Sequence, residues 1–412
     1  MKAGFGKFAI TPPLGVELSG YGYYLQRRAA FVQDELYARV LALQADTGED
    51  YLLLSCDALG LSRPIVDSLR EKLSRAYGLP ADHLAAVCVH THTGPSMVNH
   101  EGCGVVDPEY VKTVPDALFA ACGAALADLT PVTSMTFTMQ QPEQCFAYNR
   151  STPGGPVEKR VRAFRLQREG AAPIALYSFG CHAVCRGRSA GVSADYPGEV
   201  CRLAEAKGER ALFLNGLCGD IDPVPCPDGE REALLRALAA SVLSAGSGAD
   251  ETLPCTVSGG RLTMQLHLQT ITREAIAAVA AQASTRPDMI AGADKVARVW
   301  KETMLEKYDT LTDTEDFTVS YLCLGGIYIA ALPFEGFTEI GTLLRETLND
   351  ARTVALGCAE AVYGYLPTRG DFERGTYAAL ESVFLYHRLP VLPGEAERIG
   401  TQLGERLRAL RD

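Results

Sequence analysis

Three stretches of this chain repeat one plan, and that plan limits the fold more than any other feature. Each starts with a continuous apolar run of strand length, passes through a helical pattern, and ends in a second apolar run leading into polar residues. In the first, residues 51–57 precede a helical pattern over 65–77 and a run over 84–89. In the second, 174–182 and 211–220 flank a pattern over 196–207; in the third, 327–335 and 353–365 flank one over 337–348. Strands that are apolar on both sides need cover on both sheet faces, and a helix between two of them makes a parallel pair. Another apolar run precedes each unit, over 39–45, 161–167 and 319–325, as a hairpin partner. The expected fold class is α/β, with mixed, largely parallel sheets flanked by helices. No Pro/Gly/Ser linker interrupts the pattern, so residues 1–412 are expected to form a single catalytic-size domain. A helical insertion is expected around 271–310, from patterns over 272–284 and 294–308, the second carrying Trp300; it reads as a packed layer more readily than as a lid.

Parallel units put Asp57, His90, His182, Asp220, Glu335 and Tyr365 at the C-terminal ends of their strands, the edge at which open α/β sheets bind ligands. The densest signal on that edge is His90-Thr91-His92-Thr93-Gly94-Pro95, which holds two of the seven histidines. In a regular strand the two rings share a face, but a twist as the chain leaves the sheet can aim them apart. One can then ligate a metal while the other meets a neighbouring group. His90, His92, His182 and Glu335 together offer the nitrogen and oxygen donors that zinc takes in catalytic sites. His83, His100, His267 and His387 carry no motif and read as structural. Cys181 and Cys185 flank His182 but read as small buried thiols rather than ligands.

The net charge of −11, without a basic stripe, argues against a nucleic-acid partner. No run is long and apolar enough for membrane insertion. The thirteen cysteines form no CxxC pair, and the first ten residues contain no apolar core of signal-peptide length. Free thiols and a cytoplasmic location are the expectation. Nothing in the sequence fixes the oligomeric state.

A family resemblance runs along nearly the whole chain. The opening Ala3-Gly4-Phe5-Gly6-Lys7-Phe8-Ala9-Ile10-Thr11-Pro12, followed by Ser19-Gly20-Tyr21-Gly22, resembles the N-terminal strand and Gly-Tyr turn of the neutral ceramidases. His90 to Pro95 resembles their first zinc motif, and Asn149-Arg150-Ser151 their arginine segment. Gly219-Asp220-Ile221-Asp222-Pro223 resembles their amidase motif, and Pro333-Phe334-Glu335 a Pro-Gly-Glu. Tyr363-Gly364-Tyr365-Leu366-Pro367-Thr368 is similar to their tyrosine segment. The resemblance implies a Zn2+ ion held by His90, His182, Glu335 and Tyr365. It implies hydrolysis of a linear N-acyl amide through metal-bound hydroxide, with Asp220 as general base. His92, Arg150 and Tyr377 match positions around the amide, where an oxyanion is stabilised or a leaving nitrogen protonated.

Three departures from that pattern bear on the substrate. Asp222 stands where the family has a serine beside the substrate hydroxyl, so it is expected to touch substrate and to favour an amine or polyol over an anion. The chain is also expected to lack the family's C-terminal immunoglobulin-like domain and its signal peptide. A small, soluble N-acyl amide is therefore the expected partner, rather than ceramide. An esterase or lactonase on the same scaffold, or a metal-containing binding protein without catalysis, are the alternatives.

Overall fold

The computed structural model describes residues 1–282 and 290–411. All three strand–helix–strand units are present, with ends shifted by a few residues except in the last run, where only Val354–Leu356 of 353–365 pairs as a strand of that unit. Strand Asp50–Cys56 pairs in parallel with Leu84–Cys88 across helix Arg63–Tyr77. Ala171–Phe179 pairs in parallel with Arg210–Asn215 across Asp195–Glu205. Ile327–Ala331 pairs in parallel with Val354–Leu356 across Thr338–Leu348.

The hairpin partners shift the balance of pairing. Tyr37–Gln44, Val161–Arg168 and Thr314–Leu324 each run antiparallel to the strand that follows them. Strands Lys2–Ala9 and Thr130–Gln140 then join the first two units into one nine-stranded sheet, again by antiparallel pairs. The sheets are mixed, but antiparallel pairs outnumber parallel ones, against the largely parallel expectation. Hairpins need only a short turn, so every strand added between the crossover units comes in antiparallel.

The third unit belongs to a second sheet of four strands, which begins with Val257–His267. The two sheets stack face to face: Leu41, Leu53 and Leu176 of the first meet Leu322, Ile327 and Ile329 of the second. Helices cover both outer faces. Arg63–Tyr77 and Pro108–Ala127 cover part of the large sheet, while Asp195–Glu205 and Arg231–Ala245 cover the rest. Ala293–Glu306, Thr338–Leu348 and Glu395–Ala409 cover the small one. The result is four layers, helix–sheet–sheet–helix, which explains why the apolar runs leave so little polar alternation.

Close approach explains a glycine in the first strand. A Cβ on Gly6 would lie 2.0 Å from the carbonyl oxygen of Ala121, so the strand rests directly on helix Pro108–Ala127. In the insertion region, helices Arg273–Gln282 and Ala293–Glu306 form, while the end of the first expected pattern lies outside the described residues. Trp300 is fully buried, donates its indole N–H to the Arg388 carbonyl at 2.9 Å and sets its ring edge-on to Phe384. It is part of a packed layer. Among the described residues, no helix is long and apolar enough to cross a membrane.

Short backbone bridges tie the exits of the three units together. Thr91 pairs with Ala183, and Gly216 with Leu356, so the loops after His90, His182 and Asn215 are held side by side.

Candidate active site

His90 has a left-handed backbone, φ 65°, which is rare for a residue with a side chain. That turn separates the two rings of the double-histidine run. The His90 ring is buried, and its Nδ1 lies 2.8 Å from the Leu59 carbonyl. His182 is likewise buried, with Nδ1 at 2.6 Å from the Cys218 carbonyl and 3.1 Å from that of Ile221. A carbonyl can only accept, so both Nδ1 atoms carry hydrogen, and in the neutral rings both Nε2 atoms present a lone pair.

Those lone pairs meet one carboxylate oxygen. Glu335 Oε2 lies 3.3 Å from His90 Nε2 and 3.2 Å from His182 Nε2. Three acceptors buried this close need a proton or a metal ion among them, and Arg150 Nη2, 3.3 Å from His182 Nε2, covers only one of the three. Metal–ligand bonds of about 2.0–2.1 Å in a tetrahedral zinc site put neighbouring donor atoms about 3.3 Å apart, the spacing found here. The donor set fits a metal of that kind, and His90 Nε2 has no hydrogen-bond partner among the described residues.

Glu335 and Tyr365 are register partners in the two-residue parallel pair Glu335–Gly336 with Tyr365–Leu366, which sets their side chains side by side. The Tyr365 hydroxyl accepts from Arg150 Nη2 at 2.9 Å. Burial and the Glu335 charge push that phenol well above its ordinary pKa. His92 lies in the same group: its ligand atoms and those of His90 and His182 fall within 4.8 Å of one another. Neither ring nitrogen of His92 has a hydrogen-bond partner among the described residues. Burial and the two neighbouring imidazoles push its pKa well down, which keeps the ring neutral.

The arginine and the two aspartates fall into different places. Arg150 donates to the Gly219 carbonyl through Nε and Nη2, and its Nη1 lies 3.2 Å from Asp222 Oδ1. Asp222 therefore faces Arg150, and its charge is matched inside the protein. Asp220 points elsewhere. Its Oδ1 accepts from the Thr338 N–H at 2.9 Å and the Thr338 hydroxyl at 3.0 Å, and its Oδ2 accepts from Asn149 Nδ2 at 2.8 Å. Burial raises its pKa to about 6, against the pull of those donors. Asp57, also at a strand end, is bound to Arg39 at 2.6 Å and takes no part in the cluster.

A cavity of about 620 Å³ opens over the cluster, walled by Tyr21, His92, Arg150, Asp222, Tyr365 and Tyr377. The Tyr377 ring stands edge-on to Tyr365, with centroids 5.8 Å apart. A second cavity of about 750 Å³ adjoins it, sharing Tyr21, Val184 and Asp222. Cys181 and Cys185 are buried thiols whose pKa burial raises, and they stay outside the donor cluster.

Sequence reasoning missed three residues that orient the site. Tyr386 donates its hydroxyl to Glu335 Oε1, leaving Oε2 for the imidazoles. Thr338 and Asn149 fix Asp220. His100, read as structural, packs its ring edge-on to Tyr386 at 4.6 Å. Tyr386 sits in an apolar stretch with no motif, so the sequence carried no signal for it. Thr338 had one: it opens the helix that follows Glu335.

No family model and no curated protein matches the chain. Solved structures do, and two of them are ceramidases. One is the neutral ceramidase from Pseudomonas aeruginosa, with a TM-score of 0.75 at 14% identity over 99% of this chain and 74% of that one. The other is a ceramidase complexed with C2, with a TM-score of 0.76 at 14% identity over 100% of this chain and 75% of that one.

Proposed function

With the ceramidase fold as the premise, we propose that this chain is a metal-dependent hydrolase of a linear N-acyl amide whose substrate is small and soluble. The observation that carries the reading is the meeting of His90 Nε2, His182 Nε2 and Glu335 Oε2 at 3.2–3.3 Å. In this reading His90, His182, Glu335 and Tyr365 hold zinc, which supplies a Lewis acid for the carbonyl and an acidified water. Arg150 is clamped by Gly219, Asp222 and Tyr365, so its charge is fixed in place before an oxyanion develops nearby. His92 and Tyr377 face the cavity and hydrogen-bond the amide from its walls. His92, with both nitrogens free, is the side chain there able to exchange a proton with the leaving nitrogen.

Asp220, the general base implied by the family resemblance, is better suited to positioning. Both of its oxygens are anchored, and through Thr338 and Asn149 it fixes the helix after Glu335 and the segment that carries Arg150. Asp222 holds Arg150 in the same way, so it shapes the cavity without offering a free charge to substrate. A cavity of about 620 Å³ is of small-ligand size, which supports a compact amide.

Metal analysis and a panel of N-acyl amides on three variants test this. His182→Ala is expected to lose both metal and turnover. His92→Ala should keep the metal and lose about 10²-fold in kcat. Asp220→Asn should also keep the metal and lose no more than about 10-fold, because an amide oxygen can still accept from Thr338; a loss of about 10³-fold would make Asp220 the base after all. Full zinc and activity in His182→Ala would sink the ligand assignment.

A further inference from the structure

Behind the candidate site lies a small cavity of about 30 Å³ with an unusual lining. Glu158, Arg160, Arg162 and Arg345 face it, together with Gly180 and Thr338. One carboxylate thus serves three guanidinium groups. Arg160 holds both Glu158 oxygens at 2.7 Å, Arg162 Nη2 reaches Oε2 at 3.2 Å, and Arg345 Nη2 reaches the same oxygen at 3.0 Å. Two of the arginines are buried: the side chains of Arg162 and Arg345 are only 5% and 9% exposed.

The surroundings do not balance these charges. Arg345 has no side-chain partner but Glu158 among the described residues, and Arg162 also donates from Nε and Nη2 to the Ala351 carbonyl, at 3.3 and 2.8 Å, which offers no negative charge to offset its own. Asp350, the next acid toward Arg162, is taken by Arg352 and Arg411. Glu346, the next toward Arg345, is exposed to solvent. Burial and the Arg162 charge pull Arg345 down to about 10, and the guanidiniums hold the Glu158 carboxyl down at about 2 in spite of burial. Buried charge without a counter-charge is costly, and a neutral water relieves only part of that cost.

We propose that this cavity is a binding site for one small monovalent anion, a halide of chloride size, held between Arg162 and Arg345. Its volume admits one or two atoms of water size and is too small for a tetrahedral oxyanion. The site is built into the fold next to the cluster of imidazoles. Gly180 lies two residues before His182, and Thr338 holds Asp220. An anion there neutralises the back wall of the centre without touching its donors. The proposal stands independently of the reaction the enzyme performs.

Dialysed protein titrated with sodium bromide or chloride, against sodium gluconate at matched ionic strength, gives the first test. The unfolding midpoint is expected to rise saturably by about 3 °C in halide and not in gluconate. Arg345→Met should abolish the rise, and Glu158→Gln should shift it to at least 10-fold lower halide, because the anion then becomes the sole counter-charge. Crystals grown in bromide should show an anomalous peak between Arg162 and Arg345, which decides the matter even if a variant fails to fold. Identical responses to gluconate and halide, or a cavity holding water only in the bromide crystals, would overturn the proposal.

Discussion

Single residues carry most of the chemistry here, and their visibility in the sequence was uneven. His90 and His92 announced themselves as a pair, but the left-handed turn at His90 that separates their rings has no signature beyond the pair itself. Glu335 was legible as a carboxylate donor at a strand end and through the resemblance of Pro333-Phe334-Glu335, but not in what orients it. That Tyr386 occupies its second oxygen follows from a contact across 51 residues of chain, which no local pattern encodes. Tyr386→Phe should leave Glu335 Oε1 without its donor and weaken metal binding about 10- to 100-fold, as measured by chelator competition. Glu158 allows a prediction about acid. Its folded pKa lies below its unfolded value, so its contribution to stability is present above about pH 4.5 and is lost as pH falls toward 2. Wild type should therefore lose on the order of 2–3 kcal/mol more than Glu158→Gln over that window, by urea unfolding.

At the scale of elements, the three strand–helix–strand units were readable because buried strands are apolar on both sides and helices repeat every 3.6 residues. Helix Pro108–Ala127 was not anticipated. It contains Pro115, which usually marks a boundary, and its many alanines blur the contrast between faces. The partner it rests on was hidden in the glycine pattern of the first strand. Gly6→Ala should force strand and helix apart and cost about 2 kcal/mol in thermal or urea unfolding. Nearer the centre, Gly219 packs under Glu335: a Cβ there would stand 2.3 Å from the Glu335 carbonyl oxygen. Gly219→Ala is expected to keep the fold, by circular dichroism, while losing metal stoichiometry.

For the molecule as a whole, the apolar runs established that both sheet faces are covered but not by what. Burial is all a run of leucines can report, so the stacking of the third unit on the first two was open until the structure supplied it. The same limit hid the excess of antiparallel pairs. Metal removal should be felt globally, because the proposed donors follow strands of the large sheet and sit in the separate pair Glu335–Gly336 with Tyr365–Leu366. Chelation is expected to lower the unfolding midpoint by about 5 °C as a single transition seen by calorimetry. Two separated transitions would mean that the sheets fold independently of the centre. The spread of donors along the chain also has a consequence in time. His90 and His182 are made first, and Glu335 leaves the ribosome 153 residues after His182, with Tyr365 later still. A nascent chain cannot bring the four proposed donors together until Tyr365 has emerged, so an ion held by all four would mark a polypeptide already folded through all three units.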